Sequence, residues 1–242
     1  MKFIAHRGAC LEAQEDTLAS LTLGAEHGAY AVECDPRRTK DGVWVLFHDN
    51  ELQRLANDPG KIRELDYADM KARLEKAGKT VTTLDELLEN YRGASAVLFD
   101  LPYPMEDEAM YRRLASAPFH TIMGIHAPQE AAIASKFFPK EDILAFMREI
   151  DRLQPELYTD AGAGNVRLWE HWLPEQPISE VRKRIPEDRE IWIMSNDGVT
   201  PHPLFCMNGS PAQLEKLEAM GADGVLLNDI AMAKAYQEKK AR

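Results

Sequence analysis

The stretch Ala31-Val32-Glu33-Cys34-Asp35-Pro36 predicts a short buried strand that ends in two carboxylates. Side chains alternate across a strand, so Glu33 and Asp35 are expected on one face and an inert, buried Cys34 on the other. Two carboxylates on the same side of a strand end repel each other unless a cation lies between them, and a hard divalent ion suits oxygen ligands. Taken alone, the pair is also compatible with a solvated strand edge or with acids that cap a helix.

Strand-like and helix-like stretches alternate on both sides of this strand, which predicts βα units and parallel strands. Besides the strand around Glu33, strands are expected at residues 3–6, 43–47, 95–101, 122–125, 143–146, 166–169, 190–195 and 224–227. Eight such units close a TIM-type (β/α)8 barrel, for which about 250 residues are typical. We therefore predict one barrel domain over residues 1–242, with either 43–47 or 143–146 paired irregularly or outside the barrel.

Helix signals accompany the strands. Residues 16–27 carry apolar side chains at helical spacing, and Thr83 with Glu86 three positions later predicts a capped helix start. Residues 54–79 are polar and irregular, which predicts a surface excursion with short helices.

The composition limits the class of protein. The chain has 242 residues, of which 45% are hydrophobic, and a net charge of -11. A folded core is expected, nucleic-acid binding is not, and an anionic substrate must be met by locally placed cations. Three cysteines without a pairing pattern indicate a reducing compartment, and we find neither a signal peptide nor a membrane-spanning apolar run. We therefore expect a cytoplasmic protein without a transmembrane segment.

Polar and ionisable residues stand at nearly every predicted strand end. In a TIM-type barrel the carboxyl ends of the strands carry the functional residues. The set comprises His6 and Arg7, Glu33 and Asp35, His48 and Asp49, Asp100, His126, Trp169 and Glu170, Ser195 and Asn196, and Asn228 and Asp229.

These residue types suit displacement at a phosphodiester. The carboxylates of Glu33, Asp35 and Asp100 could hold one divalent metal ion, Mg²⁺ or Ca²⁺. His6 and His48 can exchange protons near neutral pH, and Arg7 offers a planar fork for a phosphate. Metal and arginine would offset charge on the phosphate while one histidine takes a proton and the other gives one.

Several short motifs occur in an order and spacing that resemble the glycerophosphodiester phosphodiesterase family. They are Ile4-Ala5-His6-Arg7-Gly8-Ala9, Glu15-Asp16-Thr17-Leu18, Val32-Glu33-Cys34-Asp35, Thr39-Lys40-Asp41-Gly42-Val43 and Phe47-His48-Asp49, with looser similarity at residues 192–196 and 221–229. The resemblance implies a TIM-type barrel and hydrolysis of glycerophosphodiesters to glycerol 3-phosphate and an alcohol. The family's reaction is generally thought to pass through a cyclic phosphate that water opens.

The resemblance also implies roles for individual residues. Glu33, Asp35 and the acid on the fourth strand would hold the metal, His6 and His48 would be the acid/base pair, and Arg7 would contact the phosphate. The sphingomyelinase D branch of the family, which stops largely at the cyclic product, resembles this chain in using aspartate on the fourth strand.

Two positions depart from the family pattern. Asp16 stands where the family usually has asparagine, and an ionised aspartate cannot donate a hydrogen bond to a substrate oxygen. Pro102 stands where the family usually has lysine, so a cation near the phosphate is missing.

Other side chains are therefore considered for substrate binding. Arg167 and His126 are candidates for the missing cation, and Tyr103 and His202 are weaker ones. Trp192 is as compatible with a substrate platform as with the core.

Three functions remain open. The first is a metal-dependent phosphodiesterase for a small soluble glycerophosphodiester. The second is a phosphodiester-cyclising lyase of the sphingomyelinase D kind that acts on lysolipids and touches membranes through the apolar residues 101–105. The third is a non-catalytic barrel that binds phosphate esters. The leaving alcohol, the metal and the oligomeric state are not predicted.

Overall fold

Eight parallel strands close into a barrel at the centre of the computed structural model, which describes residues 1–195 and 206–241. The strands are β1 Lys2–Ala5, β2 Ala31–Cys34, β3 Pro36–Arg38, β4 Trp44–Leu46, β5 Thr82–Thr83, β6 Ala96–Asp100, β7 Thr121–Ile125, β8 Ile143–Phe146, β9 Asn165–Trp169, β10 Glu190–Met194 and β11 Gly224–Leu227. All except β3 to β5 follow one another around the barrel until β11 pairs with β1. The predicted TIM-type (β/α)8 barrel is confirmed.

A small antiparallel sheet of β3, β4 and β5 lies outside the barrel. It contains the extra predicted strand at residues 43–47, whereas residues 143–146 form a regular barrel strand. A short turn at residues 40–42 joins β3 to β4, and strands joined by a tight turn pair antiparallel, which a parallel barrel cannot accept. The sheet has its own apolar cluster with residues 52–74, so the predicted surface excursion packs as a compact lobe.

Helices surround the barrel strands. They are α1 Leu18–Glu26, α2 Gln53–Ala56, α3 Tyr67–Lys76, α4 Leu84–Asn90, α5 Glu108–Ala115, α6 Pro128–Ala134, α7 Glu156–Asp160, α8 Ile178–Arg182, α9 Pro211–Ala219 and α10 Ile230–Lys240, with short 3₁₀ turns at Ile62–Glu64, Lys140–Asp142, Glu149–Asp151 and Glu170–Trp172. Thr83 caps α4 together with Glu86, as predicted. Helix α1 starts at Leu18 rather than at the predicted residue 16, because Thr17 is its N-cap and Asp16 has a left-handed φ of 55°. Across the described residues, no helix has both the length and the apolar character needed to cross a membrane.

Strand alternation divides the apolar side chains into two clusters. One fills the barrel interior and includes Ile4, Leu98 and Trp192. The larger one lies between the outer faces of the strands and the helices. Cys34 is fully buried in the outer cluster while Glu33 and Asp35 are on the other side of the strand end, as the alternation predicts.

The turn after β1 brings the barrel and α1 into backbone contact at Gly8. Gly8 has a φ of 74°, and a Cβ atom there would lie 2.4 Å from the Ser20 carbonyl carbon. The amide of the next residue, Ala9, donates to the Ser20 carbonyl oxygen at 2.8 Å. Only glycine therefore fits at this position, both because of its φ and because of the space available.

We expect Gly8→Ala to lower the free energy of unfolding by about 2–4 kcal/mol, since the substitution adds a backbone clash to the strain of a positive φ. Gly28→Ala is the matched control, because Gly28 has a φ of 79° but no atom within 4 Å of the place that a Cβ would take. The control should lose only about 1 kcal/mol. Urea denaturation measures both values, and equal losses would contradict the contact at Gly8.

Candidate active site

Three carboxylates meet at the carboxyl ends of β2 and β6. Cys34 pairs with Phe99, so Asp35 and Asp100 follow at the same level of the two strands. Glu33, Asp35 and Asp100 each direct an oxygen into one cluster, and these atoms lie within 4.8 Å of one another. The sequence predicted this grouping because parallel strands bring their carboxyl ends to one face of a barrel.

The electrostatics of the cluster favour a cation. Burial and the neighbouring carboxylates raise the pKa of Glu33, and burial followed by the charge of Asp100 raises the pKa of Asp35 to about 6. The Oδ2 atom of Asp35 is buried and has no hydrogen-bond partner within residues 1–195 and 206–241. Buried oxygen donors with excess negative charge and an unsatisfied oxygen fit a hard divalent ion such as Mg²⁺ or Ca²⁺.

Asp16 lies behind the cluster rather than at its opening. Its side chain is 2% exposed, and its Oδ1 accepts a hydrogen bond from the Asp35 amide at 3.1 Å. Burial and the charge of Asp35 raise the pKa of Asp16 well above its ordinary value. The structure thus gives Asp16 a contact with the strand end that carries Asp35, while its predicted contact with substrate stays a prediction.

His6 directly follows β1 and lies beside the cluster. Its Nδ1 lies 2.8 Å from Oδ1 of Asn228, which follows β11, so Nδ1 carries the proton and Nε2 keeps a lone pair. Burial, aided by the charge of Arg7, lowers the pKa of His6 to about 3. The imidazole is therefore neutral at physiological pH, with the lone pair of Nε2 unprotonated.

His48 reaches the site from the small sheet, two residues after β4 ends. Its Nδ1 lies 2.7 Å from Oδ1 of Asp49, the next residue along the chain. The side chain is 41% exposed, so it faces an opening rather than the core. The two histidines thus differ in exposure, although both have an oxygen partner at Nδ1.

Arg7 is held in an unusual conformation. It has a left-handed φ of 55°, its amide donates to Glu33 Oε2 at 2.8 Å, and its Nε lies 3.6 Å from Asp35 Oδ2. A positive φ in a residue with a side chain is strained, and such strain is frequent at functional sites. Arg7 offsets part of the negative charge of the cluster.

A chain of ion pairs links Arg7 to the His48 side of the site. Arg7 Nη1 contacts Glu15 Oε1 at 3.1 Å, and Arg54 Nη2 contacts the same oxygen at 2.5 Å. Arg54 Nε reaches Asp49 Oδ2 at 2.7 Å. Sequence reasoning missed Arg54. The sequence indicates its role only through its position five residues after Asp49.

The opposite wall of the site contains His126 and Arg167. His126 Nε2 lies 2.6 Å from Asp100 Oδ1, and its ring stacks on Phe146. Burial alone would raise the pKa of Asp100, but the charge and hydrogen bond of His126, with Arg167 nearby, hold it below its usual value. One of the three carboxylates therefore already has an imidazole partner.

Arg167 is a buried cation with unused donors. It is 3% exposed, and its guanidinium lies 3.9 Å from the centre of the Trp169 ring and 4.9 Å from that of Phe146. Its Nε and Nη1 are buried and have no hydrogen-bond partner in the part of the chain that the structure describes. Burial lowers the pKa of Arg167 to about 9, so it remains charged at neutral pH. A buried cation of this kind is stabilised by an anion.

Trp192 lies in the core of the barrel, away from the carboxylate cluster. Trp192 and Lys2 both pair with Gly224, which places the indole near the amino ends of the strands. The side chain is 1% exposed in the barrel interior, and its Nε1 donates to Glu190 at 2.8 Å. Trp192 is therefore a core residue, the alternative that the sequence left open. Asn196 and His202 lie outside the described residues.

Comparison with known proteins identifies related sequences. The profile of the glycerophosphoryl diester phosphodiesterase family matches residues 6–167. The glycerophosphodiester phosphodiesterase of Bacillus subtilis is 29% identical over 173 residues, which are 64% of this chain and 57% of that protein. A probable glycerophosphodiester phosphodiesterase 1 of Mycobacterium tuberculosis is 30% identical over 143 residues, 53% of this chain and 52% of the relative. The chain thus spans little more than half the length of these relatives.

Solved structures share the fold at low sequence identity. A glycerophosphodiester phosphodiesterase from Thermotoga maritima superposes with a TM-score of 0.70 at 19% identity, covering 99% of this chain and 97% of that one. A phosphodiesterase from Oleispira antarctica, solved with the product sn-glycerol-3-phosphate, gives a TM-score of 0.69 at 20% identity over 98% and 97% of the two chains. Because the family profile covers well over half of its residues, the chain belongs to the glycerophosphoryl diester phosphodiesterase family.

Proposed function

We propose that this chain is a metal-dependent phosphodiesterase that hydrolyses small glycerophosphodiesters to glycerol 3-phosphate and an alcohol. The observation that carries the proposal is the carboxylate cluster of Glu33, Asp35 and Asp100 with His6 and His48 in the same site. Family membership and the glycerol 3-phosphate complex of the Oleispira antarctica protein support the substrate class. We treat residues 1–242 as one domain, and the three free cysteines agree with a reducing, cytoplasmic location.

Glu33, Asp35 and Asp100 would hold one Mg²⁺ or Ca²⁺ ion. When bound, the ion supplies positive charge to the non-bridging phosphate oxygens. Arg7 and Arg167 add cationic donors to the phosphate. Arg167 replaces the lysine that Pro102 removes, because its Nε and Nη1 have no hydrogen-bond partner among the described residues.

His6 is the proton acceptor in this proposal. It is neutral, and its Nδ1 contact with Asn228 leaves Nε2 to take the proton of the attacking hydroxyl. His48, oriented by Asp49, gives a proton to the leaving alcohol oxygen. The family resemblance implies a neighbouring substrate hydroxyl as the first nucleophile and water as the second, with the roles of the histidines reversed in the second step.

The lysolipid alternative loses part of its support. Leu101 is 2% exposed and Met105 is 6% exposed, with the Met105 amide donating to Glu130, so two of the five residues of the expected membrane-facing rim are packed against the barrel. Tyr103 is exposed, but its hydroxyl accepts a hydrogen bond from Arg148. The non-catalytic alternative is disfavoured because both histidines and all three carboxylates are assembled in one site.

Substitution of either histidine tests the acid/base assignment. His6→Asn and His48→Gln should each lower kcat by about 10²- to 10⁴-fold with an unchanged circular dichroism spectrum, because a proton transfer is lost. Phosphorus NMR of glycerophosphoinositol turnover measures the rate and distinguishes a monoester from a cyclic product. His120→Gln is the control, since His120 also contacts an aspartate but precedes β7 at the other end of the barrel. Near-wild-type rates in both site variants would reject the assignment.

Metal binding should stabilise the folded chain. At a free concentration of about 100 times its dissociation constant, Mg²⁺ or Ca²⁺ should raise the free energy of unfolding by about 2.7 kcal/mol. This corresponds to a rise in Tm of roughly 5–10 °C. Differential scanning fluorimetry with and without EDTA should show this shift in the wild type and in Asp142→Asn, but not in Asp100→Asn. Asp142 pairs with His120 far from the cluster. An identical shift in Asp100→Asn would place the ion elsewhere.

The ion pairs around Glu15 should make stability depend on pH. Burial opposes ionisation, yet the hydrogen bond and charge of Arg54, with Arg7, lower the pKa of Glu15 to about 2 from 4.5. A lowered folded-state pKa gives stability that is full above pH 4.5 and is lost as the pH falls toward 2. Since Arg54 is partly exposed, we expect Glu15→Gln to cost about 1–2 kcal/mol at pH 7.

Urea denaturation at pH 7 and pH 3 measures this difference. The gap between wild type and Glu15→Gln should be smaller at pH 3. Glu180→Gln removes an exposed pair with Lys183 and should change stability by less than about 0.5 kcal/mol at either pH. A gap that does not change with pH would contradict the role of the Glu15 charge.

A further inference from the structure

A cavity opens next to the carboxylate cluster. It is a cleft of about 760 Å³ between the β3–β4 hairpin and residues 102–104, which follow β6. We call it the basic cleft. The charged residues that line it are Arg37, Arg38, Lys40, Arg63 and Asp41.

Arg37 connects the basic cleft to the site. Its Nε and Nη2 donate to the His48 carbonyl oxygen at 3.1 and 2.8 Å. Its charge also reaches the cluster, since it opposes the rise in the pKa of Asp35 and helps to lower the pKa of Asp100. Residues 102–104 form the other wall only two positions after Asp100. A molecule bound at the cluster therefore has the cleft as its immediate neighbour.

The cations of the cleft are largely uncompensated. Within the described part of the chain, neither Arg38 nor Arg63 makes an ion pair, and Lys40 reaches Asp66 only at 3.8 Å. Arg38 lies over the Trp44 ring at 5.9 Å, which positions it without neutralising it. Among the described residues one carboxylate lines the cleft, that of Asp41, and its Oδ1 accepts hydrogen bonds from the Thr39 hydroxyl and the Tyr67 amide.

This charge contrasts with the rest of the molecule. A chain with a net charge of -11 repels anions over most of its surface, so a concentration of cations beside the site creates a local attraction for them. The lining contains one aromatic residue, Tyr103, and so offers no aromatic cage for a quaternary ammonium group. The cleft chemistry suits an anion and disfavours a choline-like cation.

The two halves of a glycerophosphodiester differ in what they can present to such a cleft. The glycerol half carries only hydroxyl groups, whereas the alcohol half varies and can carry charge. We propose, building on the function proposed above, that the basic cleft is a subsite for an anionic group on the leaving alcohol, and that the preferred substrates are glycerophosphodiesters of phosphorylated alcohols. Arg38 and Arg63 are then specificity-determining residues, and Arg37 joins the subsite to the reacting phosphate.

A matched pair of substrates isolates the charge of the alcohol. Glycerophosphoinositol and glycerophosphoinositol 4-phosphate differ only by one phosphomonoester. We expect kcat/KM to be about five-fold or more higher for the phosphorylated substrate at low salt, and the ratio to fall as salt screens the exposed cations.

Single-charge variants assign the preference to the cleft. Arg38→Gln and Arg63→Gln should each lower kcat/KM for the phosphorylated substrate by about two- to five-fold and leave the unphosphorylated one unchanged, because exposed charge pairs contribute modestly. Lys71→Gln, on the exposed face of α3 outside the cleft, is the control and should change neither. No preference in the wild type, or equal losses on both substrates, would overturn the subsite.

A binding measurement separates failure of the subsite from failure of the enzymatic function. Calorimetry with inositol 4-phosphate should give binding to the wild type that the Arg38→Gln/Arg63→Gln double variant loses, even if neither diester is turned over. Equal binding by both proteins would reject the subsite. Vesicles containing phosphatidylglycerol test a membrane surface as the source of the anion, and variant-sensitive vesicle binding without a substrate preference would also reject it.

Discussion

Repulsion among the buried carboxylates of Glu33, Asp35 and Asp100 governs how the whole site is arranged. The register of β2 and β6 brings these groups together, and burial prevents water from screening them. Hydrogen-bonding groups of the surrounding chain offset part of this repulsion. The Arg7 amide contacts Glu33, and the His126 imidazole contacts Asp100. As far as the described residues go, these contacts leave part of the charge unbalanced and the buried Asp35 Oδ2 without a hydrogen-bond partner. The cluster therefore fits a divalent ion better than it fits a purely structural role.

The cations around this cluster are held in two different ways. Arg54 forms ion pairs with Glu15 and Asp49 near the surface, where water and salt weaken each pair but the network restrains geometry. Arg167 lies inside the barrel against the faces of Trp169 and Phe146, which contact its guanidinium without using its N–H donors. The first arrangement orients neighbouring side chains, and the second keeps donors available for a ligand.

The small sheet of β3, β4 and β5 interrupts the regular βα repeat of the barrel. A regular βα unit would return directly from β2 to the next barrel strand, whereas here the chain first forms β3 and β4 and a lobe with its own apolar cluster. This additional segment places His48 at the site and, with Arg37, forms one wall of the basic cleft. Proposed catalysis and proposed specificity thus both depend on an element that is not part of the barrel, which agrees with functional variation arising in the loops of this fold.

Local patterns along the chain were enough to predict the barrel and most of the candidate site. Alternation of side chains is local, so it placed Glu33 and Asp35 on one face, and parallel strands necessarily gather their carboxyl ends. The folded arrangement was needed to show that residues 43–47 leave the barrel, that Trp192 is core and that Arg54 connects to Glu15. How the strands close around one another decides which strands pair, how far along the barrel a side chain lies and which distant residues form ion pairs. Periodicity along the chain carries no information about that closure.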